Sequence, residues 1–151
     1  MNARVASLAL GLDIGGSRTK LGLVDSSGRV VEERSFATQA AKGDSGPFIE
    51  RLFSEIHHLL DRRQHEIIGI GASFLGWLNE AGTGPQFCMN VPALHQVDFK
   101  NLLADAFRLP VVVHDDVTAH TLAEYHYGFG RGCRRRSEER RVGKECRSRW
   151  S

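Results

Sequence analysis

A carboxylate followed by two adjacent glycines stands near the start of the chain, in residues 13–18 (DIGGSR). Because glycine has no Cβ, such a turn lets backbone N–H groups approach phosphate oxygens closely. Taken alone, the glycine pair is equally typical of a plain hairpin turn. Asp13 favours a phosphate site, since a carboxylate at the end of an apolar strand is costly without a partner such as hydrated Mg²⁺. The turn leads back into a strand, which argues against a P-loop or a dinucleotide-binding turn, because both open a helix.

Two adjacent acids follow a run of valines further along the chain, at Asp115 and Asp116. Either carboxylate singly could be the N-cap of the helix that follows. Two together raise each other's pKa, which suits a general base that takes a hydroxyl proton near neutral pH. Asp116, His120 and Glu124 also share one helical face, where ordinary helix side-chain pairs are expected rather than a metal site.

A long connection over residues 76–97 contains Gly76, Gly82 and Gly84. Loops of this length inside a compact domain are usually functional, although a variable surface loop would look the same. Several histidines have no matching partners and are expected on solvated or helix faces: His57, His58, His65, His95 and His126.

Secondary-structure signals place these residues at the ends of strands. Short apolar runs predict an antiparallel meander of three strands over 8–14, 20–25 and 29–37. Helical spacing of apolar residues and alternating strand patterns then predict helix 47–64, strand 66–74, helix 97–109, strand 110–115 and helix 117–128. The order β-β-β-α-β-α-β-α indicates an α/β fold.

The last sixteen residues, 136–151 (RSEERRVGKECRSRWS), differ in composition from the rest of the chain. They match, residue for residue, an in-frame translation of a common short-read sequencing adapter. We therefore expect a non-native, disordered tail and exclude it from the fold. The 20 basic and 18 acidic residues of the whole chain then become 14 and 15 over residues 1–135, so the apparent basicity is lost.

Length and composition limit the classes of protein to which the chain can belong. A chain of 151 residues holds one core, and two complete lobes would be cramped. No apolar run is long enough for a membrane span, the start does not look like a secretory signal, and the cysteines form no CxxC pair. We expect a cytoplasmic protein that has neither nucleic acid nor membrane as a partner.

Five segments in order resemble the ROK family of repressors, open reading frames and kinases. They are DIGGSRTKLGLVD, GIGASFLGWL, NVPAL, PVVVHDDVTAHTLAE and GFGRG, and together they extend over residues 8–132. The resemblance implies the ribonuclease H-like N-terminal lobe of the actin, hexokinase and sugar-kinase superfamily. Residues 1–135 would supply this lobe and the start of a second lobe that is otherwise missing.

The resemblance also implies a function, an ATP-dependent and Mg²⁺-dependent kinase of a hexose or N-acetylhexosamine. Asp116 corresponds to the catalytic base and also contacts the sugar, together with Gly76, Asn90 and Asp115. The first phosphate motif corresponds to Asp13, which would hold magnesium through water, and to Gly15, Gly16, Ser17 and Arg18. An intact protein of this family is expected to be a homodimer, with a structural zinc site possible in the missing half. Residues 1–135 alone would be half a cleft and are expected to be inactive.

The chain departs from the family pattern at the second acidic motif. Asp115 replaces an asparagine, so it can only accept hydrogen bonds while ionised, and Thr118 stands where a second asparagine is usual. Sugar specificity therefore does not transfer. A sugar-responsive transcriptional repressor of the same family is the alternative, although the first strand begins near Leu8 and leaves no room for a preceding DNA-binding module.

Overall fold

The computed structural model describes residues 7–40, 43–61, 63–88 and 90–128. Seven strands and three helices are assigned within these ranges: β1 Leu8–Ile14, β2 Arg18–Asp25, β3 Val30–Ala37, α1 Gly46–Leu60, β4 Ile67–Phe74, β5 Trp77–Leu78, β6 Pro85–Phe87, α2 Phe99–Phe107, β7 Val111–Asp115 and α3 Asp116–Tyr127. The predicted tail over 136–151 and all but the first glycine of GFGRG lie outside the described residues.

Five of the strands form one mixed sheet in the order β3-β2-β1-β4-β7. β2 is antiparallel to β1 and β3, as the predicted meander requires, whereas β4 is parallel to β1 and β7 is parallel to β4. The helices between the parallel strands are the crossovers that such pairing needs. The predicted order of the major elements is confirmed.

The core lies against one face of this sheet. Alternate residues of β1 point into it, namely Leu8, Leu10, Leu12 and Ile14, and all are at most 3% exposed. The buried faces of α1 and α2 cover them, and rings of the two helices meet where the Phe48 and Phe99 centroids lie 6.5 Å apart. The period of two in the strands therefore fixes which side chains face the helices and which face the other side of the sheet.

The helices begin and end close to their predicted bounds. α2 begins where the Asp98 carboxylate accepts a hydrogen bond from the Asn101 N–H at 3.0 Å, a side-chain N-cap. It ends at Phe107, and the C-cap residue Arg108 adopts the left-handed conformation with φ of 55°. α1 ends at Leu60 rather than at the predicted residue 64, because its buried apolar spacing stops there.

The connection over 76–97 is more ordered than predicted. β5 and β6 pair as a small antiparallel ribbon around a turn at Asn79, whose side-chain oxygen accepts from the Thr83 N–H at 2.9 Å. A short 3₁₀ turn follows at Pro92–Leu94. Strands of two and three residues are too short to show an alternating pattern, so the sequence could not reveal them.

The chain divides into two compact units after Ala119, within α3. The described part of the second unit is the remainder of α3 and Gly128. Its apolar side chains Leu122, Tyr125 and Tyr127 are exposed. No helix of the described residues is long and apolar enough to cross a membrane.

Candidate active site

The predicted site residues gather at one edge of the sheet. β1, β4 and β7 are parallel, so their carboxyl ends meet there. Asp13 is in register with Ser73 of β4, and Ser73 is in register with His114 of β7. One residue further along, Ile14, Phe74 and Asp115 form the next row. The glycine turn after β1 and the acids after β7 therefore project from the same edge, separated by a single strand.

The glycine turn is a tight hairpin between β1 and β2. The Gly15 N–H donates to the Arg18 carbonyl oxygen at 3.2 Å. No described hydrogen bond uses the N–H groups of Gly16 and Ser17. The turn is thus the hairpin that the glycine pair predicts, and it also leaves backbone donors for an anion.

The turn is in contact with the predicted substrate loop. A Cβ added to Gly16 would lie 2.6 Å from the Asn90 Cβ, which is closer than carbon atoms can pack. Asn90 therefore occupies the space that the glycine leaves open. Two residues predicted separately, one for phosphate and one for sugar, lie side by side.

Arg18 points away from the tip of the turn. Its Nη2 donates to the Ser35 hydroxyl oxygen of β3 at 2.8 Å, and the side chain is exposed. In this arrangement the backbone of Arg18, rather than its guanidinium, lies at the predicted phosphate site.

Asp13 is an exposed carboxylate at the end of β1. The Ser73 hydroxyl lies 3.4 Å both from the Asp13 Oδ1 and from the Leu12 carbonyl oxygen, so its one proton can go to either acceptor. No ion pair to Asp13 is present among the described residues. Mg²⁺ commonly keeps several waters and uses one or two carboxylates together with substrate phosphates. A single accessible carboxylate beside a turn with free backbone N–H groups fits such an ion. No group of three or more metal-ligating side chains occurs in the described part of the chain.

A cavity of about 370 Å³ opens on the sheet face opposite the core. Glycines and valines of the strands supply much of its lining, and its polar lining residues are Asp13, Lys20, Glu33, Ser73 and His114. Asp116, Gly76 and Asn90 are not among its lining residues. The cavity thus includes the first acidic position but not the second.

Asp115 caps α3. One carboxylate oxygen accepts from the Thr118 N–H at 2.8 Å and the other accepts from the Thr118 hydroxyl at 2.6 Å. These hydrogen bonds hold the pKa of the Asp115 carboxyl below its ordinary value. The expectation of a raised pKa is therefore wrong for Asp115, because the two hydrogen bonds from Thr118 lower the pKa by more than burial raises it.

Asp116 is the first residue of α3 and is half-buried. Burial raises the pKa of the Cys88 thiol, and the negative charge of Asp116 raises it further. Cys88 in turn lies beside Gly76, where its Sγ would be 3.1 Å from an added Cβ. Cys88 of the predicted substrate loop therefore lies close enough to Asp116 for the charge of the predicted base to act on its thiol.

Gly76 is required by the backbone. Its φ is 141°, in the region that favours glycine, and an added Cβ would collide with the Phe87 carbonyl oxygen. This close approach places the turn after β4 against β6 and fixes the course of the loop.

His95 has a structural role that the sequence did not indicate. Its Nε2 lies 3.0 Å from the Cys88 backbone nitrogen and 2.9 Å from the Cys88 carbonyl oxygen. Its half-buried ring also stacks near Phe87, with centroids 5.4 Å apart. The prediction of a solvated or helix-face histidine is wrong here, because residues seven apart in an irregular loop have no recognisable spacing.

A mixed sheet of this order, with acids and a glycine turn at the carboxyl ends of its parallel strands, defines a ribonuclease H-like α/β lobe. A model of the ROK family matches residues 9–135, and the chain belongs to that family. The predicted fold class is confirmed.

Known relatives are sugar kinases and regulators. The chain is 28% identical over 127 residues to a glucokinase of Streptomyces coelicolor, a match that covers 84% of this chain and 38% of that protein. A ROK family glucokinase from Streptomyces griseus, solved with glucose and AMPPNP, superimposes with a TM-score of 0.72 at 25% identity over 83% of this chain and 38% of that one. A ROK family transcriptional regulator, a homologue of the E. coli MLC protein, has the same fold, with a TM-score of 0.65 at 19% identity over 80% of this chain and 30% of the regulator. The chain spans about two fifths of the length of the glucokinase relative.

Proposed function

We propose that this chain is part of an ATP-dependent kinase that phosphorylates a hydroxyl of a hexose or N-acetylhexosamine. The observation that carries the proposal is that the glycine turn, Asp13 and the Asp115-Asp116 pair all lie at the same edge of the sheet. The similarity to glucokinases, one of them solved with glucose and an ATP analogue, supports the choice of sugar and nucleotide.

The phosphate turn would bind the nucleotide through its backbone. The N–H groups of Gly16 and Ser17 are available to phosphate oxygens, with Gly15 closing the turn behind them. Asp13 would hold Mg²⁺ through water, and the ion would neutralise charge on the phosphate oxygens. Because the Arg18 guanidinium is held by Ser35, we assign phosphate contact at this position to the backbone.

Asp116 would act as the general base and would contact the sugar. Its carboxylate would accept the proton of a sugar hydroxyl as that oxygen forms a bond to the γ-phosphorus and the bond to the leaving ADP oxygen breaks. Positioning the two substrates supplies most of the acceleration in such transfers. Gly76 and Asn90 belong to the loop beside this base and would complete the sugar site.

Asp115 would contact the sugar as an acceptor. Both carboxylate oxygens already accept from Thr118, and each keeps a further lone pair. The ligand must therefore present a donor, such as a hydroxyl, at this position. An asparagine, the family residue, could instead donate.

The remaining family properties are proposals for the whole protein. They are a homodimer, a zinc site in the part that follows residue 135, and a cytoplasmic location. The lobe described here carries one side of a cleft, so we propose that it is inactive without the other side.

A sugar-responsive repressor of the same family is the second candidate. The regulator that shares the fold is 19% identical, a level that supports the fold alone. Asp13 and Asp116, which phosphoryl transfer needs and sugar sensing does not, favour the kinase.

Sequencing the genomic locus beyond the codon for Arg135 tests the proposal, followed by expression of the complete reading frame. The kinase predicts codons for a second glycine-rich phosphate loop and ATP-dependent phosphorylation of at least one hexose or N-acetylhexosamine. A complete protein that binds sugar but transfers no phosphate to any of them would contradict the kinase and favour the repressor.

A further inference from the structure

Two polar side chains are buried within the described ranges, and both lie beneath the phosphate turn. Thr19 of β2 is 0% exposed and Thr38, which follows β3, is 2% exposed. Their hydroxyl oxygens are 3.0 Å apart. Buried polar groups are retained where their hydrogen bonds serve a purpose, so the position of this pair calls for an explanation.

The direction of the hydrogen bonds follows from the acceptor at their end. The Thr38 hydroxyl lies 2.8 Å from the Gly15 carbonyl oxygen, which can only accept. Thr38 therefore uses its one proton on Gly15, and Thr19 must donate to Thr38. The Thr38 backbone N–H also donates to the Ser17 carbonyl oxygen at 3.1 Å. Both carbonyls that flank the tip of the turn are thus held toward Thr38.

Holding a carbonyl inward turns the next N–H outward. In a trans peptide the C=O and the N–H point in opposite directions, and the described chain has no cis peptides. The Gly15 carbonyl shares its peptide with the Gly16 N–H, and the Ser17 carbonyl shares its peptide with the Arg18 N–H. Both N–H groups therefore face away from Thr38.

Thr38 also prevents the turn from closing on itself. A hydrogen-bonded pair in an antiparallel hairpin exchanges two N–H···O bonds. Here only the Gly15 N–H to Arg18 oxygen bond is found among the described residues, and the Gly15 carbonyl is directed toward the Thr38 hydroxyl instead of toward the Arg18 N–H. The Arg18 N–H is left as a donor.

We propose that Thr38, oriented by Thr19, is a positioning residue that keeps the Gly16 and Arg18 N–H groups free for the phosphate oxygens of a bound nucleotide. This inference rests on the proposed function for its ligand, and on the hydrogen bonds alone for its mechanism. Neither threonine belongs to the specified positions of the family motif, which is why the sequence did not single them out.

Amide hydrogen exchange of the 151-residue chain tests the mechanism without a ligand. In Thr38→Val the Gly15 oxygen loses its hydroxyl donor and the Arg18 N–H can bond to it, so Arg18 exchange should slow by about tenfold, the equivalent of one hydrogen bond. A general loss of stability would instead speed exchange throughout the chain. Thr38→Ser keeps the hydroxyl and should exchange as the wild type does. Unchanged or faster exchange at Arg18 in Thr38→Val would overturn the inference.

The affinity for MgATP of the same variants, made in the complete reading frame, tests the ligand. Thr38→Val should bind about tenfold more weakly, while Thr38→Ser and the control Thr121→Val on α3 should match the wild type. Equal binding by Thr38→Val and wild type would overturn the phosphate role. Slowed Arg18 exchange in a protein whose wild type binds no MgATP would contradict the proposed function, and with it the phosphate role, but not the hydrogen-bond mechanism.

Discussion

The side chain of Asn90 occupies the space that Gly16 leaves by lacking a Cβ. A Cβ built on Gly16 would lie 2.6 Å from the Asn90 Cβ and 3.2 Å from its Cγ. The glycine turn and the loop predicted to bind the substrate are therefore in contact at a position where no larger residue fits. A displacement of either segment is transmitted to the other, as close-packed side chains have little room to yield.

Substitution of Gly16 should show how much this contact constrains the turn. Gly16→Ala forces the turn and Asn90 apart, and we expect a loss of about 1 to 3 kcal/mol in the free energy of unfolding, typical of overpacking. Chemical denaturation measures the change.

A double variant and a matched control show whether the contact is the cause. Asn90→Gly removes the opposing Cβ and should recover most of the loss in the Gly16→Ala background. Gly11→Ala is the control, since its Cβ would meet nothing closer than the Gly22 carbonyl oxygen at 3.7 Å. Equal losses from Gly16→Ala and Gly11→Ala would contradict the account.

Substitution of Gly76 by alanine should destabilise the protein more than substitution of Gly16 does. Gly76→Ala combines a φ of 141° with a collision at the Phe87 carbonyl. We expect a loss of about 2 to 5 kcal/mol, or a displaced loop. The comparison is Gly82→Ala, where φ is 65° but no atom lies within 4 Å of the added Cβ. If the two variants are equally stable in thermal unfolding, the close approach of Gly76 to β6 is not a constraint.

The pH dependence of stability should contain a contribution from Asp115. Its pKa is lowered in the folded protein by Thr118, so the carboxylate stabilises the fold above the ordinary pKa of 3.8. That contribution is lost as the pH falls through the lowered folded value. Thr118→Val should move the pKa of Asp115 back up, which an NMR titration of the carboxyl carbon measures.

Asp115→Asn provides the corresponding stability test. Asparagine is also a good N-cap, so stability at about pH 7 should change little while the loss between about pH 5 and pH 2 becomes smaller. Asp25 and Glu55, whose pKa values are also lowered, would still contribute to acid unfolding. If the free energy of unfolding falls equally with falling pH in Asp115→Asn and wild type, the capping hydrogen bonds contribute nothing to the pH dependence of stability.

The sequence predicts the long strands well and the contacts within the site poorly. β1 was predicted at its observed bounds, because seven residues of alternating burial carry a clear period. β5 and β6 were missed, since a ribbon held by Asn79 and Thr83 depends on side-chain hydrogen bonds rather than on a pattern. The parallel arrangement of β1, β4 and β7 brings Asp13 and the Asp115-Asp116 pair to one edge of the sheet.

The contacts that tune the site were not predictable from residue types. Thr38 and His95 act on backbone atoms 23 and 7 residues away, and such pairs have no fixed spacing. Asp115 shows the opposite case. Its N-cap alternative was visible in the sequence, and the structure shows the cap while leaving the proposed sugar contact as a prediction.

Turnover of the Asp116→Asn variant of the complete protein tests the central claim, that the protein is a sugar kinase with Asp116 as its base, most directly. We predict that kcat falls by about 10²- to 10⁴-fold, because the amide cannot accept the proton, while the sugar dissociation constant changes by less than about threefold. The matched control Asp105→Asn, an exposed acid on α2, should retain the wild-type rate. Unchanged turnover in Asp116→Asn would contradict the assignment of the base and the function built on it.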